Sequence, residues 1–196
     1  MAKEDETNNY KVEDKLEQYM LDARRIFLSE SINTDTANEI IRKLWYLEMK
    51  DPGKPILLII NSPGGSIDSG FAIWDQINMI TSPVATLVTG MAASMGSILS
   101  LAAKKGKRFA TPHARIMIHQ PRLGGIVEGQ ATDLEIQARE IIKTREMIIK
   151  VYMEATGKEH DEIDRSIDRD TWFSAEEAKK FGLIDEVIES FDGITV

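Results

Sequence analysis

The chain has 196 residues, with 24 Lys and Arg against 32 Asp and Glu and no cysteine. That length can bury a substantial core, but the net charge of −8 withholds the positive field that nucleic-acid backbones require. The missing thiols exclude disulfides, a thiolate nucleophile and a cysteine metal cluster.

The opening MAKEDETNNY has no basic region followed by an apolar one, so a secretory signal is not expected and a soluble, cytoplasmic protein is. Residues 11–24 place Val12, Leu16, Tyr19 and Met20 at helical spacing. A short apolar run, Ile26 to Leu28, precedes Thr34 or Asp35 as the N-cap of a helix ended by Asp51-Pro52-Gly53. Ile56 to Ile60, five aliphatic residues in a row, predict a strand buried on both faces. Ser66 is placed to cap the next helix, which Thr81-Ser82-Pro83 stops.

Val84 to Val88 then read as a strand, Gly90 as a turn and Ser94 to Ala103 as a helix of small residues. Strand, turn and helix twice over predict an α/β layered fold. Gln76 to Ala103 has no formal charge, yet its Pro, Gly, Ser and Thr content points to elements packed inside protein, not to a membrane span. Phe109 and Arg115 to Ile118 look like short strands. A glycine-bearing loop leads into a helix from about Thr132 to Ala155, with Leu134, Ala138, Ile141, Ile142, Arg145 and Ile149 on its inward side. Gly157 ends it, and Ser174-Ala175-Glu176-Glu177 has the form of a capping box.

Three histidines without cysteine give no metal-ligand spacing, and the glycine turn Asn61 to Ser66 lacks the lysine of a phosphate loop. That turn does offer backbone N–H groups to a developing negative charge. Gly90-Met91-Ala92-Ala93-Ser94-Met95-Gly96 sets a hydroxyl at a helix start among small or unbranched neighbours. A serine there is ordinarily a cap, but Ser94 is also a candidate nucleophile. His119, at the end of a predicted strand, suits the base; His113 reads as a turn residue and His160 as part of a solvated face. Spacing leaves the acid open among 32 carboxylates.

Ile60 to Ser66, Gly90 to Gly96, Met117-Ile118-His119-Gln120-Pro121, Gly129 to Asp133, Asp168-Arg169-Asp170, Ser174 to Ala178 and Gly182-Leu183-Ile184-Asp185 stand in order along the chain. Together they resemble the proteolytic subunit of the Clp protease, ClpP, from about Ile26 to Val187. The resemblance implies one domain over 1–196 with a crotonase-like ββα spiral, an N-terminal segment and helix over 1–25, and a protruding handle helix at about 132–155. It implies subunits assembled as stacked heptameric rings that cut unfolded polypeptides delivered by a hexameric AAA+ ATPase. That partner would use the ATP, and this chain would need no metal or other cofactor.

Residue by residue, it makes Ser94 the nucleophile, His119 the base and Asp170 its orienting acid, with Gly65 and Met95 supplying the oxyanion hole. The strand after Gly65, near Ile67, and the loop at Leu123, Gly124 and Gly125 would hold the substrate, and Asp168 and Arg169 would link the rings. The chain departs from the family in its acidic N-terminus and in having Leu57, Ile59, Thr89 and Thr111 at the docking surface. It departs also in Arg122 and in 126–128, which lengthen the loop after His119. These departures predict a subunit working beside a second, related ring. The alternatives are acyl-CoA chemistry on the same fold and a structural ring subunit without activity.

Overall fold

The computed structural model describes residue 12, residues 15–122 and residues 128–194. Helix α1 occupies 15–22. It is followed by β1 (Arg25–Leu28), α2 (Thr34–Lys50), β2 (Ile56–Ser62), α3 (Ile67–Met79), β3 (Val84–Ala93) and α4 (Met95–Ser100). The second half holds β4 (Arg108–Ala110), β5 (Arg115–Ile118), α5 (Ala131–Thr156), α6 (His160–Ile167), β6 (Thr171–Ser174), α7 (Ala175–Phe181) and β7 (Glu186–Val187). The strands form one sheet in the order β1-β2-β3-β4-β7, with β5 joined to β3 and β6 antiparallel to β5.

The uninterrupted aliphatic run of β2 is buried on both faces, as predicted. Ile56, Leu58 and Ile60 enter the main core beneath the helices, with Leu44, Ile73 and Ile98. Leu57 and Ile59 point the other way and pack with Leu87, Phe109 and Ile188, partly covered by Ile194. Two of the four positions expected at a docking surface are thus closed over by this chain's own C-terminal segment.

Helix α2 begins one or two residues earlier than expected, because Asn33, not Thr34 or Asp35, is the cap. Its Oδ1 accepts from the N–H groups of Asp35 and Thr36, while Thr36 Oγ1 accepts from the Asn33 N–H at 2.8 Å. Arg24, whose φ is +58°, sends its guanidinium to the carbonyls of Leu47, Lys54 and Pro55, satisfying the end of α2 and the turn after it.

The predicted break at Gly90 is instead a bend inside a ten-residue strand. The first part of β3 pairs with β4, and Met91 to Ala93 pair with β5. Gly90 has φ +77°, and a Cβ there would meet Asn61 Oδ1 at 2.6 Å, the oxygen that accepts the Met91 N–H. The bend lets one strand change partners and aims its end toward β5.

Helix α4 is also shorter than expected, six residues ending at Ser100. The uncharged stretch 76–103 is divided among the end of α3, β3 and α4, and among the described residues no helix is long and apolar enough to cross a membrane. Helix α5 has the predicted extent, but its inward side differs. Only Ile148, Ile149 and Tyr152 are buried, whereas Leu134, Ala138 and Ile142 are exposed. The periodic stripe exists, but among the described residues this half of the helix is too sparsely covered to be buried, sharing only an open pocket with Ile67, Asp68, Pro121 and Arg122.

Candidate active site

Strand register builds the site. Ala93 at the end of β3 lies beside Met117 in parallel β5, so Ser94 and His119, just beyond these strand ends, become neighbours. Antiparallel pairing sets Ile118 opposite Thr171, so the next residues outward, His119 and Asp170, also face each other. Ser94 Oγ lies 2.7 Å from His119 Nε2, and His119 Nδ1 lies 3.1 Å from Asp170 Oδ1. With Nδ1–H donating to Asp170, Nε2 presents its lone pair to the Ser94 hydroxyl.

Ser94 does not cap α4; its side chain makes no cap hydrogen bond and is turned to the imidazole. Its backbone has φ +55° and ψ −124°, a left-handed conformation rare outside glycine. The Ser94 N–H donates to Met117 O at 2.9 Å, tying the strained residue to β5. Burial pushes the His119 pKa below its ordinary value; Arg122 adds to that, and Asp170 opposes it. The imidazole is therefore neutral, and able to take a proton, at neutral pH.

The turn after β2 lies against the Ser94 peptide. A Cβ on Gly64, which has φ +90°, would meet Ala93 O at 2.5 Å and Met95 N at 2.9 Å, so only glycine lets the two turns touch. Ile32 donates its N–H to Gly64 O and accepts from Ser66 N–H, both at 2.8 Å, fixing the intervening peptides. The N–H groups of Gly65 and Met95 are left without an acceptor among the described residues. They border a cleft of about 390 Å³ lined by Ser66, Ile67, Asp68, Ser94, His119 and Arg122. A larger apolar cavity of about 620 Å³, between α1, β1 and α2, holds neither a serine–histidine pair nor free glycine-turn amides.

Several expectations need adjustment. Ile67 lines the cleft but opens helix α3; no strand follows Gly65, because Ser66 Oγ accepts the Ser69 N–H and starts a helix. Leu123, Gly124 and Gly125 lie outside the described residues, as do 126–127. His113 is an exposed turn residue, while His160 is paired, its Nε2 lying 3.2 Å from Glu146 Oε2. The Arg169 side chain is largely exposed, and Asp168 accepts from Gln120 Nε2 through its carbonyl at 2.8 Å.

Gln120 and Arg122 also line the cleft, and their sequence signal is position alone, one and three residues after His119. Arg122 Nη2 lies 3.4 Å from the same Asp170 oxygen that faces the imidazole. Among the described residues no group of three or more His, Asp or Glu could hold a metal ion.

A hydroxyl, an imidazole and a carboxylate in line beside two free amides define a class, the serine hydrolases. The sequence matches the family model described as Clp protease over residues 7–191. It is 66% identical over 184 residues to ATP-dependent Clp protease proteolytic subunit 1 of Protochlamydia amoebophila, covering 94% of this chain and 89% of that one. It is 60% identical over 185 residues to the subunit 1 of Chlamydia pneumoniae, covering 94% and 97%. A subunit 2 from Prochlorococcus marinus is 50% identical over 165 residues, covering 84% and 82%. The chain belongs to the Clp protease family, as a proteolytic subunit and serine endopeptidase.

Proposed function

We propose that Ser94 is the nucleophile, His119 the general base and then acid, and Asp170 the group that orients His119 in this peptidase. The reading is carried by the hydrogen-bonded line from Ser94 Oγ through both His119 nitrogens to Asp170 Oδ1. Ser94 Oγ attacks the peptide carbonyl carbon while His119 Nε2 takes the hydroxyl proton. The oxyanion is received by the N–H groups of Gly65 and Met95. His119 then gives the proton to the leaving amine nitrogen as the C–N bond breaks, and water, deprotonated by the same imidazole, releases the acyl group from Ser94. None of these steps draws on a metal or other cofactor.

Substrate is an unfolded polypeptide, threaded in by a hexameric AAA+ ATPase that does the ATP hydrolysis, in the cytoplasm. The subunits stack as two heptameric rings through α5, with Asp168 and Arg169 at the contact; exposed Leu134, Ile136, Ile142 and Met147 on α5 favour burial by another subunit. Ile67 and the loop at 123–125 flank the peptide. A second, related proteolytic subunit completes the active assembly. The covered Leu57 and Ile59 support this, and the numbering in the relatives' names is consistent with it.

The test is a fluorophosphonate probe applied to the subunit alone and mixed with a second Clp proteolytic subunit, with the adduct mapped by mass spectrometry. Labelling at Ser94 that disappears in Ser94→Ala is expected. An unlabelled Ser94 in every assembly would establish a structural ring subunit instead, and vigorous peptide cleavage by the isolated chain would remove the need for a second one.

A further inference from the structure

The most buried tyrosine among the described residues is not used by the chemistry above. Tyr152 sits in the inner half of α5 with only 1% of its surface exposed. Its OH lies 2.7 Å from Ser97 Oγ, itself fully buried, and Ser97 Oγ donates to the carbonyl oxygen of Ser94 at 2.6 Å. Ser97 has one hydroxyl proton and Ser94 O can only accept, so the direction is fixed: Tyr152 O–H donates to Ser97 Oγ, and Ser97 O–H donates to Ser94 O. Burial raises the Tyr152 pKa, which keeps the phenol protonated and the direction constant across any working pH.

The end of this chain matters because the Ser94 carbonyl and the Met95 N–H belong to one peptide group. We propose that Tyr152 and Ser97 are positioning residues for the oxyanion hole, orienting and polarising the Ser94–Met95 peptide through this buried hydrogen-bond chain. The inference rests on the reading of Ser94 as nucleophile and of Met95 N–H as an oxyanion donor. Ser94 O also accepts from Ser97 N–H at 2.9 Å and Ile98 N–H at 3.4 Å, so hydroxyl and amide donors converge on one oxygen. Each bond onto a carbonyl oxygen withdraws charge from its own peptide nitrogen and strengthens the N–H as a donor, by about 10–30% per bond in condensed phase.

The same chain steadies a backbone that needs steadying. Ser94 is held at φ +55°, and the helix that follows has only six residues, too few to fix its own first peptide. Tyr152 belongs to a 26-residue helix whose inner end is packed in the core, so it supplies a rigid reference. A role in packing alone would need the aromatic ring and not its hydroxyl.

Tyr152→Phe and Ser97→Ala, which keep volume, should be compared with the parent in the assembled protease using a fluorogenic peptide and a peptide boronate that forms a tetrahedral adduct. The expected result is a fall in kcat of about 5–20-fold with KM within twofold. Boronate affinity should fall by the same factor, with the acid limb of the pH profile unmoved because His119 and Asp170 are untouched. The double variant should be no slower than the slower single one, since the chain is already broken. Parent-like kcat in both single variants, a loss expressed in KM, or multiplying effects in the double variant would overturn the proposal. Ser94→Ala is run alongside: if it stays active, the active-site reading itself has failed, whereas a dead Ser94→Ala beside a parent-like Tyr152→Phe defeats only this inference.

Discussion

Two aspartates, fifteen residues apart in sequence, each face a cation, and they are built for opposite purposes. Asp185 meets Arg108, whose side chain is 3% exposed, through Nε at 2.9 Å and again through Nη2. Arg108 Nη1 reaches the carbonyls of Ala155 and Gly182, and Asp185 also accepts the backbone N–H groups of Gly106 and Arg108. Asp170, half exposed, gives one oxygen to His119 and the same oxygen, more distantly, to Arg122. The first pair is densely bonded, which locks the α5 and α7 ends onto the sheet. The second leaves bonding capacity free, as the proposed role of Asp170 requires, since its partner would change protonation as it takes and returns a proton.

The sharpest way to break that comparison is Asp170→Asn. It keeps the shape while presenting the wrong partner to Nδ1–H, so the imidazole is no longer held in the tautomer that accepts from Ser94. The expected loss is about 10⁴-fold in kcat, measured on a short fluorogenic peptide in the assembled protease. The thermal midpoint should barely move, because an exposed pair of this kind contributes at most about 1 kcal/mol. A kcat within tenfold of the parent would remove Asp170 from the triad.

Arg108→Ala tests the other half. It strands a largely covered carboxylate and two carbonyls, those of Ala155 and Gly182, and chemical denaturation should show a loss of about 3 kcal/mol. Burial alone would raise the Asp185 pKa, but the hydrogen bonds and charge of Arg108, with the two backbone N–H groups, outweigh it and hold it below the ordinary carboxylate value. A depressed carboxylate pKa adds stability that is complete above the unfolded value, about pH 4, and is lost as pH falls through the folded one. In Arg108→Ala that contribution is gone, so stability should fall less steeply on acidification through this range than in the parent, and the cost of the substitution should be smallest at low pH.

Arg169→Ala separates folding from assembly. The Arg169 side chain is 86% exposed and lies 3.8 Å from Asp168, an arrangement that adds little to the subunit itself. The fold should be unaffected, while sedimentation shows single rings with little peptidase activity. A fully active double ring would exclude Arg169 from the ring contact.

Element boundaries and the acid of the site were the parts least legible in the amino-acid sequence, for a shared reason. Ile56 to Ile60, Ser66 as a cap and the Ser174 capping box could be read locally, because burial on both faces and first-turn hydrogen bonds leave local signatures. Asp170 could be singled out only through the family resemblance, since its selection depends on β6 pairing antiparallel with β5, a register between distant segments. Likewise β3 runs on past Gly90 because β5 supplies a new partner, and α6 leaves a faint sequence signal because His160 to Ile167 buries only Ile163 and Ile167. The Tyr152–Ser97 contact left a weak trace, a hydroxyl on the inner stripe of a helix three residues after Ile149.

The smallest expected effect probes Arg122, a cation beside the Ser94–His119 pair. Arg122 lowers the His119 pKa, second to burial and against the pull of Asp170. Arg122→Gln removes that charge, so the pKa should rise toward the ordinary value of about 6.5. In the proposed mechanism His119 is neutral when it accepts the Ser94 proton, so the acid limb of kcat/KM should move to higher pH, with the plateau kept. At 65% exposure the Arg122 side chain is well screened, so the shift should be a fraction of a pH unit and should shrink in the parent at high salt. Arg122 also lies 3.4 Å from the Asp170 oxygen that His119 uses, so a plateau that rises in Arg122→Gln would mean that the guanidinium competes for that oxygen. A limb that stays in place or moves to lower pH would mean that burial and Asp170 alone set the base.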